Sequence, residues 1–546
     1  MKPASEPIEV NMQELEALLE RARQGPLGEE DYQKLKAAIH TLGYVVHLLQ
    51  DQETTIQALR QLLLKPSTEK TAQVLKKAGL EVGEKSRPSG ERAHPNPSGH
   101  GRNGAEAYGG ARRIKVAHAS LQPGDHCPEC WKGKVYPRKE PALRVLIVGQ
   151  APLQATVYEL ESFRCNLCGE VFEAEAPEEV GEKKYDETSA SMIGLLKYGS
   201  GVPFNRLAGL EESLGIPLPA STQWGIVQET AELIRPAMEE LIRQAAQGEV
   251  VYNDDTRMKI LGLARASPHP VGAEEEASDS RERTGQFTSG IVSTRQGQRI
   301  ALFFTGRRHA GENLAQVLAR RAPELDPPIQ MCDALSRNLP KLTGKLAVIV
   351  AHCLAHGRRR FIEVAPNFPE ECRHVLETLG EVYGYDAQAE EQSLTPEERL
   401  RFHQIHSGPV MEELRAWLNA QFDERKVEPN SGLGTAIAYL LKHWDRLTLF
   451  LRQPGAPLDN NICERTLKKA ILHRKNSLFY KTENGAGVGD LFMSLIHTCE
   501  LNESNPFDYL TELQQHAVEL AKHPAAWMPW NYRQTLQQAD TSQDSA

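Results

Sequence analysis

Apolar positions along the chain change period several times, and each change marks a different kind of element. From Leu35 they recur at Ile39, Leu42, Val46 and Leu49, then at Ile56 and Leu63. Steps that alternate four and three are the seam of a coiled coil. Glu53 and Arg60 interrupt the seam and Pro66 ends it. Such a helix serves equally for dimerisation or for packing within its own chain. Residues 80–113 carry no apolar period and are dominated by Gly, Pro, Ser, His and Arg, so a flexible linker is expected there. Helical spacing returns over 187–247, broken by Gly-Pro turns into three short helices, with Ser221 as a candidate N-cap. That trio fits a helix-turn-helix DNA reader or a plain helical support.

Past Gly248 the period drops to two. Residues 249–252 read as a strand running to Asp254 and Asp255, and 287–294 and 299–305 alternate as a hairpin. A helix over about 310–321 follows. Ile329–Cys332 makes a short strand that runs into Asp333. A helix is expected next, then the apolar run 346–351 has the pattern of a buried strand, and 353–362 reads as a helix rich in basic residues. Residues 368–455 look mostly helical, and a further helix begins after Asn460.

Bulk properties narrow the class. A chain of 546 residues implies several domains, and 40% hydrophobic residues suffice for real cores. No apolar run reaches the roughly 20 residues of a membrane helix. The acidic start has no apolar h-region, so a cytoplasmic protein without a membrane partner is expected. The net charge of −10 excludes only a uniformly basic nucleic-acid binder. Local patches remain, including Lys76, Lys77, Arg87, Arg92, Arg102, Arg112 and Arg113, and Arg112 and Arg113 are candidates for holding DNA phosphates. Nine cysteines in so long a chain do not suggest a disulfide scaffold. Four of them form two CxxC pairs, Cys127 with Cys130 and Cys165 with Cys168. Strand-like sequence at 143–148 and 156–161 lies between the pairs, so a ribbon holding one structural Zn²⁺ on four thiolates is expected.

The strand order carries the chemistry. In a ribonuclease H-like fold the strands that bear Asp254 and Asp333 are neighbours, so both carboxylates enter one pocket. A third acid comes from a later helix, and Glu464 in PLDNNICERTLKKAILHRKN is placed to supply it. Phosphodiester transfer needs the attacking and leaving oxygens both stabilised. Two Mg²⁺ (or Mn²⁺) ions about 4 Å apart do this, and hard cations prefer carboxylate oxygens. Lys468, Lys469, Arg474 and Lys475 follow Glu464, and Arg358 and Arg359 lie in the basic helix; all six are candidate DNA contacts. His352 and His356 flank Cys353 at a spacing that puts two histidines on one helix face, although packing under the core explains them better than a metal does.

These stretches resemble the DDE transposases of the insertion-sequence 66 type. The resemblance rests on NDDT at 253–256, FTSGIV at 287–292, IALFFTGRRHAGENL at 300–314, HCLAHGRRRF at 352–361 and PLDNNICERTLKKAILHRKNSLFY at 457–480. It covers nearly the whole chain. It implies Asp254, Asp333 and Glu464 as the catalytic metal ligands. Asp255 stands where the family has Glu, D-A-L replaces D-G-Y after the second acid, and Leu354 replaces a Trp. The resemblance further implies an all-helical insertion, binding to transposon ends and target DNA, a homodimer or higher oligomer, and small accessory proteins from the same element.

The expected architecture is therefore multidomain α/β. A helical or coiled-coil segment (1–75) precedes a basic linker (76–115), a zinc ribbon (116–180) and a helical DNA-binding-like domain (181–248). A ribonuclease H-like core follows in two parts (249–367 and 456–505) around a helical insertion (368–455), with a tail at 506–546. The competing functions are a resolvase or nuclease on the same core, which cuts without joining, and a transposase-derived protein that only binds DNA.

Overall fold

The computed structural model describes residues 119–136, 150–164, 171–177, 183–264, 285–344 and 346–543, with Gly28, Lys115, Asn166 and Cys168. The expected coiled-coil helix, the linker with Arg112 and Arg113, the strand at 143–148 and Cys165 lie outside these residues. Residues 83–156 belong to one compact unit and those from Val157 onward to another. In the second unit, β1 (Ser162–Arg164) pairs antiparallel with β2 (Val171–Glu173). The strand expected over 156–161 does not form, because the returning limb β2 is only long enough to pair from Ser162 onward.

The helical stretch opens with α1 (Glu187–Gly194), continued by a π-helical turn over Leu195–Gly199, then α2 (Phe204–Ser213) and α3 (Ala220–Ala245). Helix α3 begins earlier than expected: Pro219, not Ser221, is its N-cap residue, and no side chain caps it. Its buried face includes Val227, Ala231, Ile234 and Leu241. That face is committed to packing, as in the support reading of this segment.

The central sheet runs β5–β4–β3–β6–β7. Its strands are β3 (Val250–Arg257), β4 (Phe287–Arg295), β5 (Gln298–Gly306), β6 (Ile329–Cys332) and β7 (Ile349–His352). β3, β4 and β5 are antiparallel neighbours, whereas β6 runs parallel to β3 and β7 parallel to β6. Helix α4 (Ala310–Leu318) covers one face. Between β6 and β7 the chain makes only a 3-10 turn at Ser336–Asn338 rather than the expected helix. Pro340 disfavours helical backbone at the residue before it, which accounts for the early stop. β7 is shorter than the apolar run suggested, and it takes in His352.

Four helices, α5 (Leu354–Val364), α6 (Pro369–Glu391), α7 (Pro396–Asp423) and α8 (Gly432–Lys442), then form one core with β6 and β7. Phe361, Leu376, Leu379, Leu414, Ile437 and Leu440 meet Met331 and Ala351 there. Thr395 and Glu398 cap α7 reciprocally, the Thr395 N–H donating to Glu398 Oε2 at 2.9 Å and the Glu398 N–H to Thr395 Oγ1 at 3.3 Å. The chain returns to the sheet as α9 (Asn461–Ser477) and α10 (Glu483–Leu501). Residues past 505, expected as a tail, are helical. α11 (Pro506–Gln515) packs on α1 and α3, with Gln514 Nε2 donating to Ser191 Oγ at 2.8 Å. Among the described residues no helix is long and apolar enough to cross a membrane.

Helix α10 closes the β5 edge with side chains rather than with a strand. Oxygens of Asp490, Ser494, Thr498 and Asn502 accept the backbone N–H groups of Thr305 (2.6 Å), Phe303 (3.0 Å), Ala301 (3.1 Å) and Arg299 (3.1 Å). Four helical residues rise about 6 Å, close to the roughly 6.7 Å spanned by two strand residues. A polar residue at every fourth helix position therefore stays in register with every second strand amide. The arrangement satisfies donors that would otherwise template aggregation at an open edge. Burial pushes the Asp490 carboxyl up to about 7, against two hydrogen bonds from Thr305 that oppose the shift. An unfolded Asp releases its proton near pH 4. The folded state thus binds the extra proton between about pH 4 and 7, and stability falls as pH rises through that window. Asp490→Asn should flatten this dependence, so that wild type loses up to about 1.4 kcal/mol per pH unit relative to the variant. Thermal melts at pH 4.5 and 7 check this. A pH-independent difference would mean that the carboxyl stays ionised throughout.

Candidate active site

Strand β3 alternates its side chains across the sheet, so Asp254 and Asp255 part company. Asp255 points to the α4 face. There its carboxylate meets His309 Nδ1 at 2.8 Å and accepts from Ser289 Oγ at 2.8 Å, and Asn313 Nδ2 donates to Ser289 Oγ at 2.8 Å. Asp255 therefore ties β3 to β4 and to the start of α4. Asp254 points to the opposite face, towards α9.

Asp333 follows β6, and the parallel β3–β6 pairing brings it beside Asp254. Asn338 links the two acids: its Nδ2 donates to Asp333 Oδ1 at 2.6 Å and lies 3.4 Å from Asp254 Oδ1. Asn338 is held in turn by its backbone carbonyl, which accepts from Asn253 Nδ2 and Gln330 Nε2, both at 2.8 Å. Glu464 enters in the first turn of α9. Burial, then the neighbouring charge of Asp333, with Glu464 further off, pushes Asp254 up to about 7. A carboxyl raised in this way by neighbouring negative charge favours a cation beside it.

The close approach of α9 has a visible cause. Gly290 on β4 pairs with Asp254 and faces α9. A Cβ there would lie 2.9 Å from the Leu467 side chain and 3.6 Å from Cys463 Sγ. The Cys463 thiol donates to the Gly290 carbonyl at 3.3 Å. At the N-terminal end of the helix, Asn460 donates from its backbone to Cys353 Sγ at 3.3 Å and from Nδ2 to the Asn253 carbonyl at 3.2 Å. At the far end Arg474 binds Thr256 Oγ1 at 3.0 Å and the Arg257 carbonyl.

Glu464 Oε2 accepts from Arg359 Nη2 at 2.8 Å, and His356 Nε2 lies 3.7 Å from Oε1. Oε1 is buried without a hydrogen-bond partner. Cys353, His356 and Glu464 could share a metal, since their ligand atoms lie within 4.8 Å of one another. Burial pushes the Cys353 thiol up to about 12 and also lowers His356, so the set offers a protonated thiol rather than a thiolate. Hard-cation chemistry favours the carboxylates instead. The two histidines do not share a helix face: His352 ends β7, whereas His356 lies in α5. His352 is buried against His443, and burial takes it down to about 4.

The structure separates the expected DNA contacts. Lys468 and Lys475 lie on one side of α9 with Arg465, at helical spacing, and Leu472 is exposed between them. Lys469 is ion-paired with Glu500 at 2.8 Å, and Arg474 is spent on β3. Arg358 stacks on Tyr383, 5.2 Å from the ring centre, and Arg359 holds Glu464. Sequence reasoning missed Asn338, Arg465 and Gly290. An isolated glycine inside a strand marks close backbone approach, so the FTSGIV segment did carry a signal for Gly290. A helical wheel from Glu464 would have found Arg465.

Asp254 and Asp333 lie side by side on one face of the sheet, with the Glu464 charge near enough to raise Asp254, which makes a candidate divalent-metal site of the kind that transfers phosphoryl groups. The sequence model of the IS66 transposase family matches residues 184–487, more than half of the chain. The chain belongs to the IS66 family of transposases. It is also similar to two uncharacterized proteins of Sinorhizobium fredii (strain NBRC 101917 / NGR234). With y4jD it is 26% identical over 430 residues, 76% of this chain and 79% of the relative. With y4hP it is 23% identical over 451 residues, 77% and 76% of the two chains.

Gly290→Val should push α9 off the sheet and displace Glu464. The expected result is a loss of stability of about 1–3 kcal/mol, typical of overpacking, and a loss of transposase activity of more than about tenfold. Leu467→Ala in the same chain makes room and should restore part of both. Melting and transposase assays on the single and double variants read this, and unchanged activity in Gly290→Val would contradict it.

Proposed function

We propose that the chain is a DNA transposase that cuts element ends and joins them to target DNA at Asp254, Asp333 and Glu464. The observation that carries this reading is the side-by-side placement of Asp254 on β3 and Asp333 at the end of β6, with Glu464 in the first turn of α9 adding to the charge at Asp254. The sheet order supports a ribonuclease H-like core, with an antiparallel hairpin on one side of β3 and two parallel strands on the other. Helices α6, α7 and α8, which lie within 368–455, support the reading of that stretch as a helical insertion.

The residues present fit the divalent ions that DDE transposases use. The Glu464 Oε1 atom is buried and unpartnered, and the burial of Asp254 beside two acids is relieved by positive charge. Asp254, Asp333 and Glu464 would hold two Mg²⁺ or Mn²⁺ ions, which supply Lewis-acid stabilisation of the entering and leaving oxygens. Asn338 orients Asp333 and Asp254. Arg359 fixes the Glu464 rotamer through one oxygen and leaves the other, buried oxygen without a hydrogen bond. Arg465, Lys468 and Lys475 present cations for backbone phosphates.

Zinc binding through the first CxxC pair, Cys127 and Cys130, stands as a second part of the proposal. Its support is the turn at the first pair. The Cys127 N–H donates to the Gly133 carbonyl at 2.8 Å and the Trp131 N–H to the Cys127 carbonyl at 2.9 Å. Backbone N–H groups of Gly133 and Lys132 lower the Cys130 thiol, which favours the thiolate that a metal requires.

The test is a cleavage and joining assay on duplexes carrying the terminal repeats. Asp254→Asn, Asp333→Asn and Glu464→Gln keep shape and remove charge. Each should lower both steps by at least about a hundredfold, the scale of losing several kcal/mol of metal-borne stabilisation, with end binding retained. Asp255→Asn weakens the His309 contact on the other face and should cost stability more than chemistry. A dead Asp255→Asn beside an active Asp254→Asn would overturn the assignment. Cutting without joining would make the chain a nuclease.

A further inference from the structure

Helix α9 ends in an unusual turn. Leu478 has φ 67° and ψ −43°, and the Phe479 N–H donates to the Ser477 carbonyl at 2.8 Å. This is a three-residue γ-turn with positive φ at its centre, a rare and strained form for any residue with a Cβ. Its surroundings impose it. The Leu478 N–H is held by the Arg474 carbonyl at 2.8 Å, and the Tyr480 N–H by the Lys259 carbonyl at 2.8 Å. Tyr480 forms a parallel bridge with Ile260. Ser477 Oγ accepts from the buried Lys197 at 2.8 Å. The result is that Leu478, 65% exposed, and Phe479, 40% exposed, are both turned to solvent, whereas Tyr480 is buried. Strain that a fold maintains in order to display two large apolar side chains points to a binding role.

The surroundings of the pair are cationic. Arg257, Lys259, Lys475 and Lys481 are exposed around the turn. The same side of α9 carries Arg465, Lys468 and Lys475, and ends at the turn. An apolar tip inside a ring of cations matches a polyanion with apolar faces inside it, which is a nucleic acid and not a membrane interior or an apolar protein groove.

We propose that Leu478 and Phe479 form a wedge that enters the base stack of duplex DNA lying along the basic side of α9. The proposal rests on the transposase reading. Fourteen residues separate Glu464 from Leu478, about 21 Å along the helix axis, or about six base-pair steps at 3.4 Å each. The wedge thus meets the duplex about six steps from the phosphate at the active site. Apolar side chains inserted in this way unstack and kink DNA. The turn fixes the backbone beforehand, so little ordering remains to be done on binding.

The test uses full-length Asp254→Asn protein, which leaves DNA uncut, and terminal-repeat duplexes with 2-aminopurine at successive positions. Emission should rise at one or two adjacent positions about six steps from the cleavage phosphate. In a chain that also carries Leu478→Gly and Phe479→Ala this rise should be lost at saturating protein, with the salt dependence of binding unchanged. Leu478→Gly alone accepts positive φ without strain and should melt at or above the temperature of the parent, which controls for folding. A bound duplex that brightens nowhere, or brightening that survives the double substitution, overturns the wedge and leaves the transposase reading standing. Failure to bind the duplexes at all overturns both.

Discussion

The contact on which the rest of the structure depends is the one between α9 and the sheet at Gly290. With no side chain at that position, Leu467 and Cys463 settle directly onto β4, and the first turn of the helix comes down beside Asp254. The same contact sets the helix axis. Arg474 secures the far end to the end of β3, so one rigid rod carries Glu464 at the site and the strained Leu478 turn beyond it. A carboxylate in a metal site must be placed to within a fraction of an ångström. For Glu464 such placement would come from packing of α9 on a strand rather than from a loop.

The sheet and the site are finished by the same returning segment. β5 lacks an edge partner until α10 arrives, and Asp254 and Asp333 lack a third acid until α9 arrives. Both helices come after the long helical stretch that begins at α5. Their contacts span large sequence separations: about 185 to 203 residues along the β5 ladder and 173 residues at Gly290. Such contacts form late because loop closure must precede them.

Much of the core was readable because its periods are clean. The hairpin of β4 and β5, the short β6 leading into Asp333, and the start of α9 after Asn460 fall where alternation and helical spacing put them. The separation of Asp254 from Asp255 followed from the period of two alone. Other features were hidden for physical reasons. The apolar run before β7 suggested a longer strand, but hydrophobicity does not say where a pairing partner ends. Pro340 was visible and marks the stop of the expected helix, but the tertiary hold on Asn338 by Asn253 and Gln330 was not. The α10 ladder was illegible because Asp, Ser, Thr and Asn at every fourth position look like an ordinary polar face until β5 is known to lie against them. The basic residues after Glu464 looked equivalent in sequence. Only the fold shows that Lys469 is committed to Glu500 and Arg474 to β3.

The central claim is that Asp254, Asp333 and Glu464 form one cation cage, while Asp255 and Cys353 stand outside it. Anomalous scattering from a crystal of the full chain soaked in Mn²⁺ tests this most directly. The account predicts anomalous density among the three carboxylates, within the roughly 2.0–2.6 Å range of metal–oxygen bonds to their oxygens, and none at Asp255. Density held instead by Cys353 and His356, or on the Asp255–His309 side of the sheet, would contradict it.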